Sequence, residues 1–563
     1  MSSISTQELV QQPPRQSLLH VLFIGGRIFY AWIAFLGVIF LAGVAGYIYQ
    51  THEGLVVSNM REQVSWGYYI SNFSFLVGVA AAAVLLVIPA YLYHFKAIKK
   101  IVAFGELLAI TAVIMSMMFL TVDTGRPERF WHAIPLIGSI NLPQSILGWD
   151  IIVLSGYLLI NIISVSYVAG TSYRGRELNQ YIIVPLILIS IPWAIVVHSV
   201  TAFIFNGLVA RPFWNASILA PRFLASAFCA GPAIMIILFQ VLRKVTVFNI
   251  RDSAIFKLAE IISYAMAINI FLLCAEVYKE YYSDTALFAP MIYLFQGLHG
   301  HDNLVPWIWT ATIFNVVSFL LFLFPKTRKN FITLNTGCVL VFIGIWIEKG
   351  MGLIIPGFVP DSLGEIYEYT PAAIEFMIGI GIWAFGALFY TFLVRILIAI
   401  DTGKIRHQSA PPFVPDVEEG LVAGDIMSKN IHSVFSDTPV EKIRSLLIAN
   451  RISGVPVVNN ENKVVGVVSE TDIVFSLLHQ EPQIAEKLKE IILPARRRRE
   501  KKTGDTAAEV MTSPAITAFA NTPLMELTEI VTERRIKRVI IVDSEERLAG
   551  IVTQIDIVKS QYS

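Results

Sequence analysis

Residues 101–132 read IVAFGELLAITAVIMSMMFLTVDTGRPERFWH. The run Ile101–Val122 is apolar and has 22 residues, slightly more than the roughly 20 that a helix needs to cross a bilayer. It is followed at once by Asp123–His132, in which five residues can ionise. Charge at a membrane boundary is costly unless the groups pair with one another or bind a ligand. We therefore predict a membrane-spanning helix with a site that handles charge at its end.

The composition is that of a membrane protein with a soluble module. Only 15% of the 563 residues are charged, against about 25% in soluble proteins, and the apolar excess ends near Ile400. A net charge of +1 gives no electrostatic reason to expect nucleic acid as a partner. These features predict an all-α polytopic membrane bundle, surrounded by lipid, and then a soluble domain.

Ten segments are apolar and long enough to span a membrane. They are residues 28–48, 67–93, 101–122, 150–169, 181–205, 221–242, 258–279, 304–324, 331–349 and 372–394. Lys and Arg alternate between the loops, with 17 on the side of both termini and 7 on the other. By the positive-inside rule, both termini are cytoplasmic and Asp123–His132 faces outward. The polar N-terminus lacks a signal-peptide cleavage pattern.

Polar side chains within or beside the spans gather at the predicted outer ends. They are Asn72, Asp123, Asp150, His198, Glu276, Glu348, Lys349 and Glu375, and the outer loops add Arg126, His132, Arg211, Arg222 and Trp307. Acids and bases at one depth indicate a shared pocket that moves protons. Solvated or paired carboxylates and an interfacial aromatic belt are the simpler alternative for each residue taken singly.

The chain lacks the residue patterns of a resident metal centre. Its three cysteines, Cys229, Cys274 and Cys338, are isolated in apolar spans, whereas iron–sulfur clusters need grouped cysteines. Only His198 lies well inside a span, so a pair of in-span haem ligands is missing as well. We predict no metal site, haem or iron–sulfur cluster. Redox work would then need a diffusible, lipid-soluble carrier and metal centres in partner subunits.

The soluble part repeats itself at an offset of 84 residues. Met427 matches Met511, Gly466 matches Gly550 and Asp472 matches Asp556. This region resembles a tandem CBS (cystathionine-β-synthase-type) module, an α/β domain pair. The resemblance implies that Ser469 and Asp472, and likewise Thr553 and Asp556, bind the ribose and phosphate of an adenine nucleotide. A purely structural pair that binds nothing is the alternative.

The predicted domain boundaries follow from these patterns. They are an N-terminal cytoplasmic tail (1–27), a transmembrane domain (28–400), a linker (401–421), a first CBS repeat (422–478), a basic connector (479–506) and a second CBS repeat (507–563).

The membrane part resembles the NrfD/polysulfide-reductase (PsrC) family of membrane subunits. The resemblance rests on Trp66-Gly67-x-x-Ile70-x-Asn72-Phe73 and on Asp123-x-Gly125-Arg126-Pro127. It is closest to the DsrP subgroup, found with sulfite-reduction (Dsr) complexes, through 207–215, 297–301 and 344–357. It implies a prokaryotic plasma-membrane subunit that exchanges electrons between menaquinone and an outer-face iron–sulfur partner, in dissimilatory sulfur metabolism. Such a chain is a quinone-active subunit of a larger complex rather than an enzyme alone.

Candidate residues follow from this resemblance and from the polar groups at the outer ends. A base near the quinone suits proton transfer, and the candidates are Asp123, His198 and Glu276, with Arg126 beside Asp123. The quinone-binding candidates are Asn72, Asp123, Arg126, His132, Asp150, His198, Trp307 and Glu348. Two departures from the family matter. A tandem CBS module is not a usual part of it. Some relatives carry a histidine in the second span where this chain has Gly78–Ala82, so another group must take the proton.

Two other functions stay open. A transporter or channel regulated by its CBS pair would use the same acids for ions, and it predicts broken helices and polar residues near mid-membrane. A scaffold that only anchors redox partners is the third possibility.

Overall fold

The structure is a computed structural model, which describes residues 16–560 except 93–94, 100, 135–136, 139, 247, 249, 284–287, 362, 409, 411–421, 451, 479–503, 535 and 544. It divides into two compact units, Met1–Phe413 and Val414–Ser563. The predicted basic connector lies mostly outside the described residues.

The first unit is a helical bundle, and the prediction of ten spanning helices is confirmed. The spans are α1 (Arg27–Glu53), α2 (Tyr68–Tyr91), α3 (Val102–Asp123), α4 (Ile146–Arg174), α5 (Gln180–Asn206), α6 (Leu219–Val245), α7 (Asp252–Tyr282), α8 (Val305–Leu323), α9 (Phe331–Phe358) and α10 (Ala373–Asp401). A short helix, Leu18–Phe23, precedes the first span. Other short helices lie between the spans, at Leu55–Val57, Lys96–Lys99, Pro127–Ala133, Pro212–Trp214, Phe288–Phe295 and Pro325–Arg328.

Burial differs strongly among the spans. Most of α2 and α3 is buried, whereas most side chains of α1, α5 and α8 are partly or fully exposed. Because lipid is as apolar as these side chains, an exposed apolar helix is stable at the rim of a bundle. The α1–α10 crossing is close, since a Cβ on Gly43 would lie 2.6 Å from the Gly381 Cα. Glycine at both positions lets the two backbones meet.

Two spans are irregular. The end of α2 is π-helical over Ile88–Leu92, where Pro89 has no N–H to donate. The helix of α9 runs over Phe331–Lys349, breaks at Gly350, and resumes as Met351–Ile354 and the 3-10 turn Ile355–Phe358. This continuation is buried, and the indole of Trp214 donates 2.8 Å to its Leu353 carbonyl oxygen.

The second unit holds two equivalent three-stranded sheets. In the first, β1 (Val434–Phe435) pairs in parallel with β2 (Gly454–Val458), which pairs antiparallel with β3 (Val464–Ser469). In the second, β4 (Thr517–Phe519), β5 (Arg538–Val542) and β6 (Leu548–Thr553) repeat that order. The helices are α11 (Ala423–Ile426), α12 (Val440–Asn450), α13 (Glu470–Leu478), α14 (Ala507–Val510), α15 (Leu524–Glu533) and α16 (Gln554–Ser560).

The two repeats exchange their first helices. Ala423 of α11 belongs to the core beside β5, and Ala507 of α14 belongs to the core beside β2. Met427 accordingly lies against Gly550, and Met511 lies against Gly466. The methionines and glycines that recur at the 84-residue offset are therefore contact partners between repeats. Neither core is complete without a helix from the other copy.

Candidate functional site

The centre of the membrane site is Arg222, at the start of α6. Its guanidinium forms an ion pair with Glu276 of α7, and Nη2 donates 2.9 Å to Oε1 of Glu348 in α9. All three residues are at most 4% exposed. A charge in so dry a setting is costly unless it is paired and hydrogen-bonded. The sequence analysis counted Arg222 with the outer loops, at the edge of the predicted span 221–242. The structure instead places it in the first turn of α6, which begins at Leu219, and buries it in the bundle.

The second oxygen of Glu348 is also held in place. Its Oε2 accepts from Asn315 Nδ2 of α8 at 2.8 Å and from Asn269 Nδ2 of α7 at 3.3 Å. Lys349 Nζ lies 3.5 Å from Glu348 Oε1. Two basic and two acidic groups thus meet in the bundle, so the set is neutral when all four are ionised. We call Arg222, Glu276, Glu348 and Lys349 the charge cluster.

A narrow crevice borders the charge cluster. It runs between α2, α6 and α9, and its lining comprises Ser74, Phe75, Gly78, Phe223, Ser226, Ala227, Ala230, Ile345 and Lys349. Lys349 Nζ and Ser74 Oγ are buried and lack a hydrogen-bond partner among the described residues. The crevice has room for about one water molecule. It therefore offers two unused donors to an oxygen atom in apolar surroundings.

A second polar group joins α4 and α5. Thr201 Oγ1 donates 2.6 Å to Asp150 Oδ1, while Asp150 Oδ2 has no partner in the described part of the chain. His198 lies one turn before Thr201, with Nδ1 3.0 Å from the Ala194 carbonyl oxygen. Because a carbonyl only accepts, Nδ1 carries the proton and Nε2 of the neutral ring is a buried acceptor, again without a described partner.

A third network lies where α2, α9 and α10 meet. Asn72 Oδ1 accepts from the indoles of Trp346 and Trp383, each at 3.1 Å, and its Nδ2 donates to the Tyr68 carbonyl. Nearby, Tyr369 donates to Glu375, which also caps α10 through the Ala372 N–H at 2.7 Å. Burial and the Glu375 carboxylate raise the pKa of Tyr369. The two acceptors of this network, Asn72 and Glu375, thus receive their hydrogen bonds from other groups of the protein.

The stretch Asp123–His132 is more open than these networks. Arg126 and His132 are exposed, and so is Trp307. Asp123 ends α3, and its Oδ1 is buried without a partner in the described residues. The predicted site residues are thus distributed over several places. Glu276 and Glu348 meet at Arg222, Asp150 lies near His198, and Arg126, His132 and Trp307 are at the surface.

The sequence analysis did not name Ser74, Asn269 or Asn315, and it listed Arg222 only among the polar groups of the outer loops. Ser74, Asn269 and Asn315 are buried polar groups within apolar helices, and such groups indicate function in membrane proteins. Arg222 carried the same signal, but it was obscured by its position beside a loop. No sequence pattern indicates which of these side chains meet.

The soluble unit repeats one local geometry in both copies. Asp472 Oδ2 accepts from the Ser469 hydroxyl at 2.6 Å and from the Ser469 N–H at 2.9 Å. Asp556 Oδ2 accepts from the Thr553 hydroxyl at 2.7 Å and from the Thr553 N–H at 2.9 Å. The four predicted nucleotide-site residues therefore form two matching hydroxyl–carboxylate pairs, each where a strand passes into a helix.

Fold and site together define a multi-pass helical membrane protein with a C-terminal pair of small α/β domains. The chain belongs to the family described as polysulphide reductase, NrfD, whose profile matches residues 56–360. The CBS domain profile matches residues 423–479 and 507–563.

Individual relatives agree with this assignment. The chain is 21% identical to a subunit of the selenate reductase of Mesobacillus selenatarsenatis, over 69% of this chain and 98% of that protein. It is 20% identical to an Hdr-like menaquinol oxidoreductase integral membrane subunit of Archaeoglobus fulgidus, over 67% and 95%. Among solved structures, the CBS-pair protein CBSX2 from Arabidopsis thaliana is 25% identical, covers 25% of this chain and 95% of its own, and has a TM-score of 0.21.

Proposed function

We propose that this chain is the quinone-interacting membrane subunit of a multi-subunit oxidoreductase. The observation that carries the proposal is the pair of unused donors, Lys349 Nζ and Ser74 Oγ, in an apolar crevice beside a buried charge cluster. The family supports it, as does a relative named as a menaquinol oxidoreductase membrane subunit.

The residues at the crevice fit a quinone oxygen. An ammonium and a hydroxyl are donors, and a quinone carbonyl is an acceptor. The crevice takes an oxygen atom as it stands, whereas a ring enters only if Phe75 and Phe223 move. A bound quinone would supply two-electron, two-proton redox chemistry. Lys349 would orient the carbonyl, and Glu348, fixed by Arg222 and two asparagines, would take or give a proton.

Binding of a quinone analogue tests the proposal. The complex is purified with its partners, its lipid extract is analysed for menaquinone, and a fluorescent quinone analogue is titrated. Lys349→Met removes a charged donor that contributes about 1.5–3 kcal/mol, so we expect Kd to rise about tenfold to a hundredfold. Lys329→Met, at an exposed lysine between α8 and α9, is the matched control. Equal affinities for both variants, or a complex without quinone, contradict the proposal.

The proposed electron partner, quinone type and pathway rest on the resemblance to the NrfD family and its DsrP subgroup. We propose that the electron partner is an iron–sulfur subunit on the outer face, that the quinone is menaquinone, and that the complex acts in sulfur metabolism as a DsrP-type subunit does. Asp123 and His198 are proposed proton acceptors because each has a buried atom without a described partner. Asp123→Asn and His198→Ala should each slow quinone turnover, and full activity in both would remove them from the mechanism.

The alternative function is a CBS-regulated transporter. The break of α9 at Gly350, directly after Glu348 and Lys349, favours it, because broken helices form ion and substrate sites in transporters. Flux of ions into vesicles that contain the purified chain, with no effect of quinone analogues, would support this alternative.

For the soluble unit we propose adenine-nucleotide binding at Ser469–Asp472 and Thr553–Asp556. A carboxylate accepts hydrogen bonds from ribose hydroxyls, and the paired hydroxyl suits a phosphate. Calorimetry of the full chain with ATP, ADP, AMP and S-adenosylmethionine tests it. Asp472→Ala and Asp556→Ala should each remove one site, while Asp437→Ala, at an exposed acid, should leave both. No heat with any ligand would leave a purely structural domain pair.

A further inference from the structure

A fifth ionisable side chain continues the charge cluster towards the end of α7. Glu280 lies four residues beyond Glu276, and residues at that spacing share a helix face. Glu280 is only 8% exposed, and its Oε2 has no hydrogen-bond partner among the described residues. Its Oε1 lies 3.1 Å from Nζ of Lys279, a side chain that is half exposed. The Glu280 carboxylate is therefore buried, whereas the Lys279 side chain beside it reaches the surface.

The acidic groups form a series in depth. Asn269, which contacts Glu348, lies near the middle of α7, about 10 Å along the helix from Glu276. Glu280 is about 6 Å further towards the end of the helix. The series Glu348, Glu276 and Glu280 therefore leads from the crevice to the end of α7, on the predicted outer side.

Other buried atoms along this series need partners that the protein does not supply. Arg222 Nε, Asn269 Oδ1 and Asn315 Oδ1 are buried without hydrogen bonds in the part of the chain described. Buried waters bind at such unsatisfied polar groups. Water molecules between the carboxylates would complete a hydrogen-bonded chain.

We propose that Glu348, Glu276 and Glu280 conduct protons between the crevice and the aqueous phase at the outer end of α7. The proposal rests on the proposed function for its proton source. Oxidation of one hydroquinone to quinone releases two electrons, which pass to an iron–sulfur centre of a partner protein, and two protons. Each carboxylate in turn accepts a proton and releases it to the next water. A guanidinium has no lone pair that accepts a proton, so Arg222 is a positioning residue.

The first experiment is a substitution at the outer end of the series. Glu280→Gln keeps the shape but removes the proton acceptor, and a lost general base costs about a hundredfold or more in rate. We expect quinone turnover by the reconstituted complex to fall about a hundredfold, with an unchanged Kd for a quinone analogue. Glu280→Asp should restore most of the rate. Glu260→Gln, near the other end of α7 where Glu260 pairs with Lys257, should match the wild type.

The second experiment needs no quinone. Dicyclohexylcarbodiimide modifies carboxyl groups that take up protons in apolar surroundings, and peptide mass spectrometry locates the label. We expect label on Glu280 or Glu276 and none on Glu260. Wild-type turnover in Glu280→Gln overturns the proposal. If the wild type binds no quinone analogue, the proposed function fails, and the labelling alone then tests the proton path. Label on Glu280 or Glu276 supports the path. Absence of label from both residues overturns it.

Discussion

Two regions of the membrane unit carry dense charge, and they differ in how they are built. Asp123–His132 is continuous in sequence, and Arg126, Glu128, Arg129 and His132 within it are exposed. The charge cluster is assembled from α6, α7 and α9, and its members are at most 4% exposed. Charge that stays in water costs little, whereas buried charge must be paired. The stretch that is most densely charged in the sequence, Asp123–His132, is therefore the region in which charge is less costly.

The difference in burial also affects the chemistry that is possible in each region. Exposed ion pairs contribute about 0–1 kcal/mol and are screened by salt. A buried pair is strongly coupled, since removing one partner leaves an uncompensated charge away from water. The charge cluster is for this reason the better candidate for proton and quinone chemistry, and the exposed stretch is better suited to shaping a loop.

The largest expected effect is loss of the central cation. Arg222→Met leaves Glu276 and Glu348 without their guanidinium, and we expect the free energy of unfolding to fall by about 3–5 kcal/mol. Arg129→Met in the exposed stretch should change it by less than about 0.5 kcal/mol. Unfolding of the purified protein in detergent measures both. Equal losses would remove the contrast between the two regions.

A charge-balanced double substitution separates ion pairing from packing. Arg222→Met combined with Glu276→Gln leaves Glu348 paired with Lys349. We expect the double variant to regain about 2 kcal/mol of the loss, because paired charges removed together cost less than one removed alone. The same unfolding assay applies. An additive loss would mean that Arg222 acts through its packing alone.

A smaller effect is expected at the crevice. Ser74→Ala removes a donor without a partner, so the folded state should lose no stability. A quinone analogue should bind about 1 kcal/mol more weakly, which titration measures as roughly a fivefold higher Kd. Ser190→Ala, at a hydroxyl that donates to the Ile187 carbonyl oxygen of the same helix, is a suitable control. Unchanged affinity would place the quinone elsewhere.

The smallest effect is expected in the exposed stretch. Arg126→Ala removes a surface cation for which the described residues show no ion pair with Asp123. Stability should change by less than about 0.5 kcal/mol, and quinone affinity should stay the same. A large loss of quinone turnover would instead support the prediction, made from its motif, that Arg126 acts on a ligand.

Much of the architecture was predictable because it depends on local sequence. Each span is a continuous apolar run, so its hydropathy marks it wherever the rest of the chain lies. The repeat offset likewise predicted two equivalent domains. Candidate site residues could be proposed singly, as with Glu276 and Glu348, since intramembrane acids are rare. The break of α9 at Gly350 and the helix exchange between the CBS repeats depend on contacts that no local pattern records.

The sequence by itself determined the ten spans and the tandem soluble repeat, because the hydropathy of a run and the recurrence of a segment can be read from the sequence alone. The orientation stays a prediction from loop charge. Only the tertiary structure decided which charges meet. Arg222 and Glu348 are 126 residues apart, and their pairing depends on how α6 and α9 pack. The same packing left Lys349 Nζ and Ser74 Oγ without hydrogen-bond partners among the described residues, because a donor is satisfied only by an acceptor that folding brings within about 3 Å of it.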